Sequence, residues 1–455
     1  MKRLISVLFV LVILSFAIFG CSSNDSKNKN NENKQEETLK SVAGNDFFNL
    51  EDIPVPYETI TDAKSYSVPA ADQTYNMDTD CQNYYGKTLY SYFDIAETDS
   101  TIFFYNNYIN EAHIRMLDKE SKIVKPFCNK PECSHTTEEC NSSFKDVLGM
   151  FYYNKHLYII RQEYFENEDI WDKIEINLYK VSIETQEREK VKNIATALTD
   201  GKGMDSCFVA YIQHRGYLYY IYDIGTGGEK DIFYNNGSNS LYRISLENDS
   251  EKECIANMER TGGLICPFLR LQASGSYVYY MIPDEQGMGE VYRFNTETLK
   301  NEALNLGVIA MENFVVWDGD IYYKKDWKET KIYKVSSDLT KEEPYIDTQV
   351  SGYEKSSDFR ICQDYMYVTS FDDESYKLYT VYNKAGECVA EIDFPVSDII
   401  NIGGRDIFVS YDWNSVSPEQ YPGGYGESKK GVLYILDLNN IKKNKEDNVF
   451  TRIDL

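Results

Sequence analysis

The chain has 455 residues and a formal net charge of −26. A surface this acidic repels the phosphates of nucleic acids and of anionic lipids, which excludes DNA, RNA and polybasic membrane binding as its function. Its 39 tyrosines and 22 phenylalanines favour β structure over helix.

The amino terminus has the pattern of a targeting segment. Lys2 and Arg3 precede an apolar run that ends at Phe19, and Gly20-Cys21 is followed by polar residues. This arrangement resembles the lipobox of bacterial lipoproteins. The resemblance implies that residues 1–20 are a signal peptide and that Cys21 becomes a diacylglyceryl-bearing amino terminus. The alternative is an uncleaved transmembrane anchor, for which the apolar run is slightly short.

Two further segments precede the repeats. Residues 21–46 hold few large apolar side chains, so beyond the lipidated Cys they are expected to form a disordered tether. Residues 47–84 are expected to be irregular and packed on the outside of the fold. These segments predict a protein held at the cell membrane by its lipid and facing outside the cytoplasm.

A four-strand pattern recurs along the rest of the chain, and its clearest copy is Asn313–Ile346. There, Asp318-Gly319-Asp320 forms a tight-turn signal between two strands of apolar and aromatic residues. The second strands of the copies are predicted to begin near Ile102, His156, Tyr217, Tyr277, Ile321, Tyr365 and Ile407. The third strands are predicted at Ile114–Leu117, Leu178–Val181, Leu241–Ile244, Val291–Phe294, Ile332–Val335, Leu378–Val381 and Leu433–Leu436.

Repeats of about 40–60 residues with four short antiparallel strands indicate an all-β fold, a β-propeller over residues 85–455. Seven blades are preferred to eight or six. A β-sandwich would not repeat one hairpin pattern, and a β-solenoid would have shorter repeats. The first blade is expected to take its inner strand from the stretch before Ile102, Lys87–Phe93 especially, and the last blade its outer strand from Asn448–Asp454. A strand borrowed from the amino-terminal segment is the other way to close the ring.

The repeats resemble those of uncharacterised β-propeller lipoproteins of Gram-positive bacteria. More distantly, they resemble TolB-like and low-density-lipoprotein-receptor-like propellers. The resemblance implies the fold and leaves the function open, because propellers host both binding and enzymatic roles.

Four long insertions are predicted on one face of the propeller, which suggests a binding face. They are Gln162–Lys173, Asp223–Asn239, Tyr411–Lys430 and the connection Phe127–Phe144. Aromatic side chains among carboxylates and amides can stack on sugars or anchor a protein surface, although they can also pack on their own loops. The candidate ligand-binding residues are Tyr164, Trp171, Phe233, Tyr234, Trp413, Tyr421 and Tyr425.

One cluster of metal-ligating residue types stands out in the connection Phe127–Phe144. Cys128, Cys133, His135 and Cys140 are sufficient for a tetrahedral structural zinc site. In an exported protein the thiols can instead form disulfides, two of them locally and the third with Cys81 or another cysteine. Free thiols are the third possibility.

No catalytic motif is present, and no catalytic residue is assigned. The sequence therefore predicts a lipid-anchored binding or scaffolding module for an extracytoplasmic glycan, peptide or protein. The alternative is a carbohydrate-active enzyme, a glycosidase or lyase, with two carboxylates at the mouth of the central channel. Such carboxylates would lie about 5–10 Å apart.

Overall fold

The structure is a computed structural model. It describes residues 55–63, 74–82, 93–106, 113–135, 139–165, 172–199, 206–225, 237–260, 271–283, 288–307, 309–310, 314–325, 329–348, 355–362, 364–371, 377–393, 399–401, 407–412 and 432–454. The predicted signal peptide, Cys21 and the predicted tether lie outside these ranges. Among the residues described, no helix is long and apolar enough to cross a membrane.

The strands assemble into antiparallel sheets that follow one another along the chain. Six sheets have four strands each, and one has six. Sheet one contains β2 (Phe93–Glu97), β3 (Thr101–Asn106), β4 (Arg115–Asp118) and β5 (Val124–Pro126). Sheet two contains β6 (Val147–Tyr153), β7 (His156–Phe165), β8 (Asp172–Ser182) and β9 (Arg188–Thr199). Sheet three contains β10 (Ser206–His214), β11 (Tyr217–Gly225), β12 (Gly237–Ser245) and β13 (Glu253–Arg260).

The six-stranded sheet, sheet four, has the same central order with two additional strands on its outer side. Its strands are β14 (Gln272–Ser274), β15 (Tyr277–Pro283), β16 (Met288–Asn295) and β17 (Lys300–Ala303), joined by β1 (Thr59–Ile60) and β18 (Ile309–Ala310). Strand β1 pairs in parallel with β17, and β18 pairs with β16.

The remaining sheets repeat the four-strand order. Sheet five contains β19 (Phe314–Trp317), β20 (Asp320–Tyr323), β21 (Lys331–Val335) and β22 (Glu342–Asp347). Sheet six contains β23 (Lys355–Cys362), β24 (Tyr365–Phe371), β25 (Lys377–Asn383) and β26 (Cys388–Asp393). Sheet seven contains β27 (Ile399–Asn401), β28 (Ile407–Asp412), β29 (Val432–Asp437) and β30 (Thr451–Asp454). Two short 3-10 helices, Leu438–Asn440 and Lys445–Asp447, separate β29 from β30.

The predicted all-β propeller of four-stranded antiparallel blades is confirmed. Each predicted second strand begins within one residue of its expected start, and each predicted third strand overlaps an observed one. The inner strand of sheet one is Phe93–Glu97, which lies in the predicted stretch before Ile102. It overlaps the preferred part, Lys87–Phe93, at Phe93, and 87–92 lie outside the described residues. Its register is fixed by the Thr98–Thr101 turn, where the Thr98 N–H donates to the Thr101 carbonyl.

Two-residue turns join the first and second strands of several sheets. The pairs Asn154-Lys155, Arg215-Gly216 and Asp318-Gly319 all have positive φ angles, between 45° and 83°. This is the conformation of type I′ hairpin turns, whose twist matches that of the flanking strands. The end of each sheet that holds these turns is called the turn face below, and the opposite end is called the loop face.

The core lies between sheets, because both faces of the middle strands are apolar. On β11, Leu218 and Tyr220 pack toward sheet two, whereas Tyr219 and Ile221 pack toward sheet four. Sheets one, six and seven share another cluster, which includes Ile95 of sheet one and Leu433 of sheet seven. The ring is therefore closed by side-chain packing between its first and last sheets. Each of these two sheets is built from its own continuous stretch of chain, with no strand exchanged between them.

Candidate metal centre and ligand-binding surfaces

The four residues of the predicted metal cluster come together in space. The Sγ atoms of Cys128, Cys133 and Cys140 and a ring nitrogen of His135 all lie within 4.8 Å of one another. His135 Nδ1 lies 3.3 Å from Cys140 Sγ. The sequence prediction of one Cys3His cluster agrees with this geometry.

The local backbone directs these side chains inward. Strand β5 ends at Pro126, and the Cys133 N–H donates to the Lys130 carbonyl, which makes a tight turn between the first two cysteines. His135 adopts a φ of 59°, a left-handed conformation that reverses the chain just after Cys133. The Ser143 N–H donates to the Cys140 carbonyl and forms a second turn at the end of the cluster.

Hydrogen bonds to the sulfur atoms shift the pKa values of two thiols in opposite directions. Burial raises the pKa of Cys128, but the backbone N–H groups of Lys130 and Asn141 and the neighbouring thiols outweigh it, so the net pKa is lowered. For Cys133 the His135 N–H lowers the pKa, whereas burial and the two other thiols raise it, and the net pKa is raised. Crowded thiols with N–H donors are the environment in which a cation can replace protons.

The residues present fit a metal such as zinc. Zinc takes thiolate and imidazole ligands at about 2.0–2.3 Å, so the four donor atoms of a tetrahedral site lie roughly 3–4 Å apart. The distance of 3.3 Å between His135 Nδ1 and Cys140 Sγ falls in this range, and no donor pair is more than 4.8 Å apart. All three cysteines of the cluster are free thiols in the structure. Cys81 lies in the core cluster of sheets three to five, away from the metal cluster.

The metal cluster stands at the surface beside an open depression of about 550 Å³. The lining residues of this depression are Lys130, Pro131, Glu132, Cys133, Ser134 and Glu139. Cys140 lies at the buried side of the cluster, and Cys128 and Cys133 are half-buried. A metal ion would therefore join a buried ligand to ligands near the surface.

The described part of Phe127–Phe144, which was expected on the loop face, has contacts at both faces. Asn129 Nδ2 donates to the Thr185 carbonyl at 3.2 Å, and Thr185 lies in the turn between β8 and β9 on the turn face. At the other end of sheet one, where β4 begins, the Ile114 N–H donates to the Ser142 carbonyl at 2.8 Å. The metal cluster is thus at the outer rim of the propeller, between sheets one and two.

Only one of the predicted ligand-binding aromatics falls within the described residues. Tyr164 is 59% exposed near the end of β7, and Gln162 Nε2 donates to its hydroxyl at 2.5 Å. Strands β7 and β8 pair as far as Phe165 and Lys173, so much of this insertion is an extended hairpin. The other six candidates, Trp171, Phe233, Tyr234, Trp413, Tyr421 and Tyr425, lie outside the described residues.

Two carboxylates face each other on the extended hairpin. Glu163 and Glu175 are paired across β7 and β8, and Asn177 Nδ2 donates to both, at 2.8 and 3.3 Å. Lys190 Nζ lies 3.7 Å from Glu163 and 3.4 Å from Glu175. These strands are the second and third of their sheet, so the pair is not on an inner strand at the channel. The sequence analysis did not identify this pair. Its signal was the two-residue spacing of Arg161 and Glu163 and of Glu175 and Asn177, which places each set on one face of its strand.

A segment before the first sheet lies across the ends of the inner strands at the turn face. The Asn154 N–H donates to the Asp78 carbonyl at 2.8 Å, and the Arg215 N–H donates to the Thr79 carbonyl at 2.6 Å. Asn154 and Arg215 belong to the turns after the inner strands of sheets two and three. Residues 74–82 therefore reach the channel mouth, because the first strand of each blade lines the channel.

The same segment also contacts sheets one and four. Gln82 Nε2 donates to the Glu97 carbonyl at 2.7 Å, and Gln82 Oε1 accepts the Glu97 N–H at 3.1 Å. His214 Nδ1 accepts the Cys81 N–H at 3.1 Å, while its Nε2 donates to the Gly275 carbonyl at 2.7 Å. The ends of four successive inner strands are thus linked to one short segment, directly or through His214.

The four histidines have separate environments. His214 is buried, and burial lowers its pKa to about 4 despite the nearby Asp80 carboxylate. His156 lies at the turn of sheet two, and His135 belongs to the metal cluster. His113 precedes β4, and its Nδ1 lies 3.2 Å from Ser142 Oγ. Two of the four, His113 and His135, thus lie within 3.3 Å of a side-chain hydroxyl or thiol.

Comparisons with known proteins add similarity of fold at low identity. No protein-family model matches the chain, and no curated protein matches it. A prolyl endopeptidase structure is 12% identical, with 83% of this chain and 51% of that chain covered and a TM-score of 0.48. The acylaminoacyl peptidase of Pyrococcus horikoshii is 12% identical, with 80% and 59% covered and a TM-score of 0.46. TolB from Acinetobacter baumannii is 12% identical, with 63% and 62% covered and a TM-score of 0.32.

The chain spans about half the length of the prolyl endopeptidase that it resembles, 51%. Identities and TM-scores at this level assign neither an activity nor a ligand to this protein.

Proposed function

We propose that this protein is a binding or scaffolding propeller for an extracytoplasmic glycan, peptide or protein. The observation that carries the proposal is the placement of residues 74–82 across the inner-strand ends at the turn face. A mouth occupied by the protein's own chain leaves the loop face for an external ligand. Tyr164, exposed on the hairpin that projects there, is the contact residue that we assign first.

The charged groups in the core favour binding over catalysis. Glu97 pairs with Lys119, and Glu302 pairs with Arg293 through a 2.7 Å contact. Both carboxylates have no exposed surface and each contacts a cation of its own sheet, so neither is open to a substrate. The enzyme alternative requires another pair of carboxylates at the loop-face mouth of the channel. The experiment below tests that alternative by detecting reaction products.

The experiment applies the purified full-length protein in detergent to an array of oligosaccharides that includes peptidoglycan fragments. Binding that is lost in Tyr164→Ala and kept in a Tyr333→Ala control supports the binding function. Tyr333 lies on β21, away from the extended hairpin. Release of new reducing ends from the bound glycans would favour the glycosidase alternative. Unsaturated products would favour a lyase, and the absence of any bound glycan would limit the ligand to a peptide or protein.

We also propose the anchor and the location that the amino-terminal sequence indicates. Residues 1–20 would be removed, Cys21 would carry the lipid, and residues 21–46 would tether the domain outside the cytoplasm. Expression of the Cys21→Ser variant tests this, because the unmodified chain should fractionate with membranes and take up labelled fatty acid. If the variant behaves in the same way, the lipoprotein assignment is wrong.

The number of blades is proposed as seven. Strands β14–β17 of sheet four follow the same antiparallel order as the six four-stranded sheets, and β1 and β18 are additions to that blade. The domain would then extend over residues 85–455, with residues 47–84 as a segment packed on the propeller. An electron cryomicroscopy or crystal structure that shows six or eight blades around the channel would overturn this count.

The metal that we propose for the cluster is one structural zinc ion. Three thiolates and one imidazole leave no open ligand position, as in structural rather than catalytic zinc sites. Native mass spectrometry of the full-length protein should show a mass excess of one zinc that chelation removes. A mass lower by two protons per bridge, restored by reductant, would indicate disulfides instead. The fully reduced mass without metal would exclude both.

A further inference from the structure

We propose that Ser142 and His113 form a hydrogen-bonded chain that orients the Cys140 sulfur toward the metal and ties the metal site to sheet one. This inference rests on the proposed zinc site. It assigns two residues to the outer shell of that site, neither of which is among its four ligands.

The chain is defined by two contacts at one buried hydroxyl group. Ser142 Oγ lies 3.0 Å from Cys140 Sγ and 3.2 Å from His113 Nδ1. Both Ser142 and Cys140 are fully buried, with no exposed surface. The hydroxyl therefore forms its hydrogen bonds with these protein groups and not with bulk water.

The direction of the hydrogen bonds follows from the protons available. A metal-bound Cys140 is a thiolate, which carries no proton and can only accept. Ser142 has a single hydroxyl proton, which it donates to the sulfur, so its oxygen accepts from the Nδ1–H of His113. Every donor in the chain then points toward the negative sulfur, and this arrangement fixes both its position and its charge.

The donors of Cys140 differ in origin from those of the other two sulfurs. Cys128 and Cys133 receive backbone N–H groups of the cysteine loop itself, from Lys130, Asn141 and His135. The donor chain of Cys140 instead ends at His113, which is 29 positions from Ser142 and precedes strand β4. One ligand of the site is thus oriented by the sheet rather than by the loop.

Backbone contacts place this connection against the core. The Ile114 N–H donates to the Ser142 carbonyl at 2.8 Å, and His113 and Ser143 form an isolated antiparallel bridge. Ile114 is fully buried in the cluster shared by sheets one and two. Zinc bound at Cys140 is consequently coupled to the edge of sheet one.

The test measures the zinc affinity of the full-length protein by competition with a chromophoric chelator. Ser142→Ala and His113→Leu should each weaken zinc binding by about 10–100-fold, the usual effect of removing an outer-shell partner. His113→Asn should restore most of the affinity, because its side-chain amide donates near the position of Nδ1. Ser121→Ala is the control, since that hydroxyl contacts Asp118 in the turn between β4 and β5.

A second readout separates orientation from stability. In the cobalt-substituted protein, Ser142→Ala should shift the sulfur-to-metal charge-transfer band while the bands of four-coordinate cobalt persist. Equal affinities and an unshifted band in Ser142→Ala and His113→Leu would overturn this inference, even though zinc still binds. If the unmodified chain binds no zinc, or if Cys140→Ser does not weaken binding, the zinc site itself is wrong.

Discussion

The imidazole of His214 accepts the backbone N–H of Cys81 at 3.1 Å, although 133 positions separate the two residues. This hydrogen bond fastens residues 74–82 to the inner strand of sheet three. Because the other ring nitrogen donates to Gly275, a neutral His214 links the segment to two sheets. The proton state of His214 therefore bears on the attachment of this segment.

The free energy of unfolding should decrease as the pH falls through the range between the unfolded and folded pKa values of His214. Burial lowers its pKa from 6.5 to about 4, with the Asp80 carboxylate opposing and Arg215 adding to the shift. Between pH 6.5 and 4 the unfolded chain binds a proton that the folded chain excludes, so the free energy of unfolding falls as pH falls. The His214 contribution to this loss is up to about 3 kcal/mol. Urea unfolding at a series of pH values measures it.

The matched variants for this prediction are His214→Gln and His156→Gln. The first removes the buried titration, so its stability should change less between pH 6.5 and 4 than that of the unmodified chain. The second alters a histidine at the equivalent turn of sheet two and should keep the full slope. An unchanged slope in His214→Gln would refute the assignment.

Cys81 should be protected from a thiol reagent while residues 74–82 remain docked. Cys81 is buried, whereas Cys388 is exposed on sheet six. In N-ethylmaleimide labelling followed by peptide mass spectrometry, Cys388 should react first. Asp80→Ala should accelerate the labelling of Cys81 alone, because Asp80 accepts hydrogen bonds from Arg215 and the Asn76 N–H, at 3.1 and 3.0 Å. Equal rates at the two cysteines in the unmodified chain would show that the segment is not docked.

Gly149→Ala should destabilise the contact between the inner strands of sheets two and three. A Cβ atom at Gly149 would overlap the ring of Tyr211, whose hydroxyl accepts the Met150 N–H at 2.8 Å. Overpacking of this kind costs about 1–3 kcal/mol in the free energy of unfolding. Chemical denaturation measures the loss. Tyr211→Ala alone should also destabilise the protein. The loss of unfolding free energy in the double variant should be smaller than the sum of the losses in the two single variants. Simple additivity would contradict the proposed steric cause.

The Arg293–Glu302 pair should be costly to break and less costly to replace. Their side chains are 4% and 0% exposed, and Arg293 Nε contacts Glu302 Oε2 at 2.7 Å. Glu302→Gln leaves the guanidinium charge uncompensated, and the expected loss is about 3–5 kcal/mol. The double variant Arg293→Met, Glu302→Met removes both charges and should be more stable than Glu302→Gln. Urea denaturation of the three proteins decides this, and a double variant that is less stable would contradict it.

Much of the fold was predictable because strand pairing here is local. Turns such as Asp318-Gly319, with φ angles of 48° and 81°, connect strands that are neighbours in sequence. The turn signals and the apolar spacing therefore specify each hairpin without reference to the rest of the chain. The metal cluster was predictable for the same reason, since its four ligands fall within thirteen positions, from Cys128 to Cys140.

The sequence by itself determined the strand order of each sheet, the all-β propeller class and the ligand types of the metal cluster. Only the tertiary structure decided that residues 74–82 reach the inner-strand ends, that Asn129 meets Thr185 on the turn face, and that His113 lies beside Ser142. These contacts join residues 29 to 136 positions apart. Hydrogen bonds between distant segments leave no periodicity in the sequence, because they depend on how completed sheets are placed around the ring.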